Sequence, residues 1–428
     1  MLFFQLPEDV LYLILSYLDY KSLCRLSQVC RRSHQFTVRD VVWRRIARHF
    51  INTGMTREGI DIYPAIALKD RVKISQNWSH GVCRYNVLLK WKINLLPWLQ
   101  LDGDVLYLSQ AADIGVYDLR GSERGFQHNR VDVFTGHEED VCRFALTDAH
   151  LVSAGGDGKI TVHYKSRDYS VEYYGHNQEV NCIDCRGELI ISGSRDKTAK
   201  MWSLNSDQLG KCLHTIRTYD RVWSVAISPS LCTFVTGTAC CENYAPLRIW
   251  DTERCDLVTC LGTNFRRGAG VLDIVYESPF QLLTCGYDTF IRYWDLRVCS
   301  RKSVMEWEEP HDNALYCIKT DNNYMVASGS SYYGVVRLWD KRQTRCLQMF
   351  QLASNTSSPV YSLCFNATHL YAASTLHYTH WTLELQGPGP RDKTAHLHLS
   401  LSLSLSLALS LTLSLSLTLT HSYMCLDF

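Results

Sequence analysis

The chain has 428 residues, 46% of them apolar, enough to bury a large core in one repeat domain or two ordinary ones. Its 44 basic and 43 acidic residues nearly cancel, which argues against a general nucleic-acid or membrane-surface binder. The 18 cysteines are scattered through apolar runs, no basic leader precedes Pro7, and no stretch reaches the apolar length of a membrane-spanning helix. A reducing compartment, cytoplasmic or nuclear, is the expectation, with most cysteines serving as small core residues and the sequons at Asn77, Asn355 and Asn366 unused.

Residues 1–50 read as three short helices. Pro7 stands at a helix start, and Glu8 and Asp9 suit the positive end of its dipole. Apolar residues then recur at Leu11, Ile14, Leu15 and Leu18, on one face. A turn at 19–22 offers Ser22 as the next N-cap, followed by the face Leu23, Leu26, Val29 and Cys30. A third face gathers Val38, Val41, Val42, Trp43 and Ile46. So few apolar residues make a poor core alone, so either a partner completes it or the helices cap the following domain. Residues 51–83 form a partly helical linker, with Lys69–Trp78 as a short connecting helix.

From residue 84 to 385, β-rich runs alternate with turn clusters. A marker, usually Trp-Asp at the end of a β-run, falls at 117, 163, 202, 250, 294, 339 and 381. The successive spacings of 46, 39, 48, 44, 45 and 42 match four-stranded propeller blades and predict seven of them, six or eight being the alternatives. Six residues before the marker stands an Asp (Asp157, Asp196, Asp288), and four before that a Ser or Thr (Ser153, Ser192, Thr284). His176, Ser192, Asp196 and Trp202 occur together in one unit, as a buried polar set must if its members are to satisfy one another. A hydrolase triad is the competing reading. It lacks a G-x-S-x-G elbow, and the repetition of the set favours structure over chemistry. The unit ending at His163 lacks the Trp, and the unit ending at Trp250 has Cys240-Cys241 and no turn Asp. The last unit supplies only three strands, and a fourth from Tyr85–Lys92 would close the ring. Cys182 and Cys185 stand alone in a strand, without the paired spacing of a zinc RING, so no metal or cofactor is expected.

Residues 386–428 are a low-complexity Leu/Ser tail, expected to be disordered. Its Leu-Ser alternation is what a tandem CT dinucleotide encodes.

The run from Leu6 to Ala47 resembles the F-box motif in Leu6-Pro7, Ile14, Leu18, Leu23, Leu26, Val29-Cys30 and Trp43. With seven WD-like units behind it, the chain over residues 3–385 resembles the F-box/WD-repeat family of SCF (Skp–cullin–F-box) ubiquitin-ligase substrate receptors. The resemblance implies an all-α F-box docking a Skp-type adaptor, and through it cullin and RING subunits, while an all-β propeller holds a protein substrate. Neither nucleic acid nor membrane is an expected partner. It divides Leu6, Pro7, Ile14, Leu15, Leu18, Leu23 and Val29 between a small core and the adaptor interface, so that Asp at Leu18 and Leu23 breaks adaptor binding. His176, Ser192, Asp196 and Trp202 resemble the structural tetrad of WD blades.

In the family, partner residues lie on one propeller rim. Carried over position by position, they are Asn181, Trp223, Tyr316 and Tyr361 after the inner-strand start, and Arg195, Tyr287 and Tyr332 before the turn. One Arg among aromatics lacks the convergent guanidiniums that phosphate readers use, so aromatic anchoring is expected instead. The implied role is a non-catalytic subunit delivering substrates for degradation. The alternative is a scaffold that binds the adaptor without directing ubiquitination.

Overall fold

Leu11 and Leu15, one turn apart, both face inward, and they anchor the first helix, α1 (Glu8–Ser16), of the computed structural model. The structure describes residues 5–383, apart from 57–58, 92, 121–129, 243, 263–264, 299–300, 353–357 and 376. The expected disorder of the Leu/Ser tail, 386–428, lies outside the described residues.

Three more helices follow before residue 50: α2 (Tyr20–Leu26), α3 (Arg31–Thr37) and α4 (Asp40–Ala47). The count is four where three were expected. Helix α3, RRSHQFT, has little apolar periodicity, since its buried residues are Ser33 and Thr37. It is held instead by Thr37 Oγ1 donating to the Ser33 carbonyl at 2.9 Å and by Trp43 Nε1 donating to the Thr37 carbonyl at 2.6 Å. The cap of α2 is Asp19, whose carboxylate accepts the Ser22 N–H at 2.7 Å, so Ser22 lies inside the helix and is not its cap. Hydrogen bonds from Ser22 hold the Asp19 carboxyl below its usual range.

The next helix, α5 (Leu68–His80), contains the expected 69–78 helix and ends at Gly81, whose φ of 66° favours glycine as the C-cap. Its two halves serve different cores. Leu68 and Val72 join Leu15, Leu23, Val42, Trp43 and Met55. Ile74 and Trp78 join Val336, Leu338, Leu363 and Leu370 of the β-region.

Among the described residues there are seven four-stranded antiparallel sheets, arranged as propeller blades. Blades 1 to 6 span 99–134, 141–173, 180–217, 222–261, 271–308 and 315–351. Blade 7 takes Val360–Phe365, His369–Ser374 and His377–Thr382 as its first three strands and Arg84–Lys90 as its outermost one. Tyr85 pairs with Trp381 and Lys90 with His377, so the segment ahead of blade 1 closes the ring. The inner strands are also tied by side chains. Arg143 of blade 2 reaches Asp273 of blade 5 at 3.1 Å while lying 4.0 Å over the Trp98 ring. Asp273 also accepts the Ile318 N–H of blade 6 at 2.9 Å.

Two imidazoles are buried deeply enough to resist protonation. Burial pushes His163, beside His137, down to about 4. Burial, with His369 nearby, does the same to His380. The unfolded chain protonates both near 6.5. Their depressed folded values mean that their stabilising contribution is complete above about pH 6.5 and is lost as pH falls toward 4. We expect the melting temperature to fall by several degrees between pH 7.5 and pH 5, and His163→Phe to flatten that profile. Thermal unfolding followed by circular dichroism checks this, and equal melting temperatures at the two pH values would contradict it.

Candidate functional site

The expected tetrad assembles in blade 3. His176 Nδ1 lies 2.8 Å from Asp196 Oδ2 and Nε2 lies 2.8 Å from Ser192 Oγ, while Trp202 Nε1 donates to that same Oγ at 2.9 Å. Burial depresses His176 despite Asp196, so a neutral ring linking hydroxyl and carboxylate satisfies every polar atom. For Asp196, burial acts upward, but the bonds from His176 and Thr198 outweigh it and hold the carboxyl well below its usual range. Ser192 is fully buried with its oxygen shared between an imidazole and an indole, a poor position for attack on an outside group. Blades 4, 5 and 6 keep the indole bond, from Trp250 to Thr236, Trp294 to Thr284 and Trp339 to Ser328. Blade 2 keeps His137–Ser153 and His137–Asp157 but puts His163 in the Trp position.

Four of the seven rim residues, Asn181, Trp223, Tyr316 and Tyr361, owe their placement to a repeated irregularity. In blades 2 to 7 the pairing of the inner strand skips the residue after its Val-like start: Cys142, Asn181, Trp223, Leu272, Tyr316 and Tyr361. A bulge of this kind frees a side chain from the sheet face and re-aims it. Trp223, Tyr287, Tyr316 and Tyr361 form an unbroken chain of ring contacts, with centroids 5.1, 6.1 and 5.4 Å apart along it. Burial pushes the Tyr316 and Tyr361 phenols up, so both rings stay neutral. Tyr332 is exposed, and its ring packs beside Tyr333 with centroids 6.2 Å apart. Asn181 donates to the Val222 carbonyl at 3.0 Å, and Arg195 pairs with Glu179 at 3.1 Å, so both are tied to neighbouring groups. Cys142 and Leu272 share the bulge position and were missed because neither is aromatic or charged.

The F-box residues divide sharply. Leu15 and Leu23 are core, at 1% and 0% exposure, and Leu18 packs partly against that core. Leu6, Ile14 and Val29 are exposed, as is Pro7. Asp at Leu23 would therefore unfold the helices and says nothing about an interface. Sequence reasoning missed Val10, Leu13 and Tyr17. With Leu6 and Ile14 these make a solvent-facing apolar stripe along α1, and Arg45 lies 4.8 Å over the Tyr17 ring. Helical spacing alone permits either face of α1 to be the buried one.

Cys182 and Cys185 lie in one inner strand, Val180–Arg186, and burial pushes each thiol to about 12. Among the described residues no group of three or more His, Cys, Asp or Glu side chains is placed to hold a metal ion. No described helix is long and apolar enough to cross a membrane.

A helical module with an open apolar stripe, joined to a seven-bladed propeller, defines an adaptor-type architecture, and comparison with known proteins agrees. Residues 3–49 match the F-box-like model, and 168–203 and 210–242 match the model of the WD domain, G-beta repeat. The chain belongs to the F-box/WD-repeat family. It is 57% identical over 385 residues to F-box/WD repeat-containing protein 4 of Homo sapiens and to that of Mus musculus, covering 90% of this chain and 93% of each relative. A more distant relative is the probable E3 ubiquitin ligase complex SCF subunit sconB of Talaromyces marneffei, 26% identical over 210 residues, 47% of this chain and 29% of that protein.

Replacing Ser192 with Ala strips the imidazole and the indole of their shared partner inside the core. We expect a loss of about 1–3 kcal/mol in urea unfolding. Trp202→Phe combined with Ser192→Ala should cost less than the two single changes added together. Full additivity would show that Ser192 and Trp202 do not act together.

Proposed function

We propose that this chain is the substrate-recognition subunit of an SCF-type ubiquitin ligase. The observation that carries the reading is the stripe of Leu6, Val10, Leu13, Ile14 and Tyr17, an apolar strip left facing solvent along a helix whose other face buries Leu11 and Leu15. An apolar anchor cluster of this kind suits a stable protein interface, here with a Skp-type adaptor. Cullin and RING subunits join through that adaptor and perform the transfer, so the chain needs no cofactor of its own. The distant likeness to a protein named as an SCF subunit supports this assignment.

The propeller rim is then the substrate face. Trp223, Tyr287, Tyr316 and Tyr361 offer connected aromatic surface of the kind that dominates binding energy, and they favour an apolar and hydrogen-bonding protein segment. Substrates so captured are ubiquitinated and degraded. The described cysteines are free thiols, which supports action in a reducing compartment, cytoplasmic or nuclear.

Purification of the tagged chain from cells tests the assembly. Adaptor, cullin and ubiquitination activity are expected together. Adaptor without cullin would favour a scaffold that does not direct degradation. Leu13→Asp with Ile14→Asp should abolish adaptor recovery, because both side chains point outward, while leaving the melting temperature within a few degrees of wild type. Alanine at Trp223, Tyr287 and Tyr316 together should retain adaptor and cullin but lose the proteins that proximity labelling captures under proteasome inhibition. Undiminished capture would remove the rim from the substrate face.

A further inference from the structure

Blade 4 contains a buried charge that its neighbours would neutralise. Two residues before the marker, blades 4, 5 and 6 carry Arg248, Arg292 and Arg337. Arg337 Nε donates to Glu309 at 2.8 Å with both side chains buried. Arg292 bonds Asp288 and, at 3.0 Å, Glu306. In blade 4 the turn position held by Asp288 in blade 5 is Tyr244, and the position corresponding to Glu309, at the end of the preceding blade's outer strand, is Thr218. Both sources of a carboxylate are thus gone.

Arg248 is left with main-chain carbonyls. Its Nε donates to Ala245 at 2.9 Å and its Nη1 to Thr218 at 2.9 Å. Nη2 has no partner among the described residues, although Arg248 is only 4% exposed. The nearby acid, Asp220, directs its oxygens elsewhere, to the Arg221 and Cys241 N–H groups at 2.8 Å each. A guanidinium stays charged, so this arrangement costs the free protein stability. Above the guanidinium, 5.3 Å from its centre, lies the Tyr244 ring, stacked on Tyr219 at 5.0 Å. Both tyrosines are about half exposed, and Tyr219 is held at a φ of 61°, where a bulky residue is rarely found. Exposed Arg217, Arg266 and Arg267 lie on the adjoining segments.

We propose that Arg248 is the floor of a carboxylate-reading subsite, covered by the Tyr219–Tyr244 pair in the free protein, where an Asp or Glu side chain of a bound protein segment supplies the missing counter-charge. This rests on the reading of the rim as the partner-binding face. The Tyr244 ring turns aside, the carboxylate meets Nη2, and the tyrosine rings flank the apolar stem of the acid. The exposed arginines favour an acidic segment. A singly charged carboxylate fits better than a doubly charged phosphate, since a single guanidinium faces it and the Asp220 carboxylate is buried in the same loop.

Selection of peptides from a random display library on the full-length chain tests the subsite. Wild type should enrich sequences containing Asp or Glu. Arg248→Met should bind the selected peptide at least tenfold more weakly, the scale of one lost charge-assisted bond, while its melting temperature stays level or rises. Tyr244→Asp should restore an internal carboxylate, as Asp288 provides for Arg292, raising the melting temperature and weakening the same peptide. The proposal is overturned if the selected sequences show no acidic preference, if the preference survives Arg248→Met, or if a phosphoserine version of the peptide outcompetes the Asp or Glu original. A wild-type preference lost in both variants supports it. Enrichment without acidic preference removes this subsite and leaves the receptor reading standing, whereas a library that yields nothing counts against both.

Discussion

The pairing of Arg84–Lys90 with His377–Thr382 is the constraint on which the rest of the molecule depends. A seven-bladed ring left open would expose a whole sheet edge, and here that edge is covered by the strand that follows α5 almost directly. Ring closure and F-box placement are therefore one event. Trp78 of α5 donates its indole N–H to the Ala367 carbonyl at 2.9 Å, the Asn52 N–H donates to the Asp321 carboxylate at 2.8 Å, and Arg342 donates to the His49 carbonyl at 2.8 Å. Each contact joins the N-terminal segment to blade 6 or blade 7. Within residues 1–384 the apolar stripe of the first helix and the aromatic rim thus belong to one compact unit.

The repeat was legible because one position in each blade is held by a large ring, an indole in most of them. A large ring with a single N–H donor reaches a hydroxyl one strand inward, and the marker spacing simply counts such sites. The closing strand was legible for a related reason: a three-stranded last unit needs a fourth strand, and one β-run stood ahead of the first. Other features left no such trace. Helix α3 is stabilised by hydroxyls and an indole from α4, and periodicity is blind to both. The sorting of Leu15 inward and Ile14 outward depends on how α1 rotates against α4, which spacing alone does not fix. The rim residues were assigned one blade at a time, but their contact with one another is a property of the ring: Trp223 and Tyr361 are far apart in sequence and are linked through blades 5 and 6.

Polar groups do different work at different depths. Near the axis, Arg143, Asp273 and Trp98 bind blades 1, 2 and 5 to one another, a buried pair whose hydrogen bonds are almost all satisfied. In mid-blade, the His–Ser–Asp–Trp set locks a turn to the sheet. Blade 4 keeps the indole bond but leaves Arg248 with main-chain carbonyls alone, and the same blade carries the adjacent cysteines, with the stacked exposed tyrosines beside them. Of the three equivalent arginines in blades 4, 5 and 6, Arg248 alone lacks a carboxylate partner among the described residues.

The one-residue bulge at the start of six inner strands separates two kinds of information. Residues in register must satisfy the ladder, so their replacement disturbs a blade. The bulged residue answers to no ladder partner, so its identity can drift while the blade endures. Recognition can in this way be rewritten letter by letter on an unchanged scaffold. On blades 6 and 7, however, the bulged Tyr316 and Tyr361 touch, and Trp223 of blade 4 reaches them through Tyr287, so a change in one alters the surroundings of the next, and the route from one rim surface to another depends on the order in which the substitutions arise.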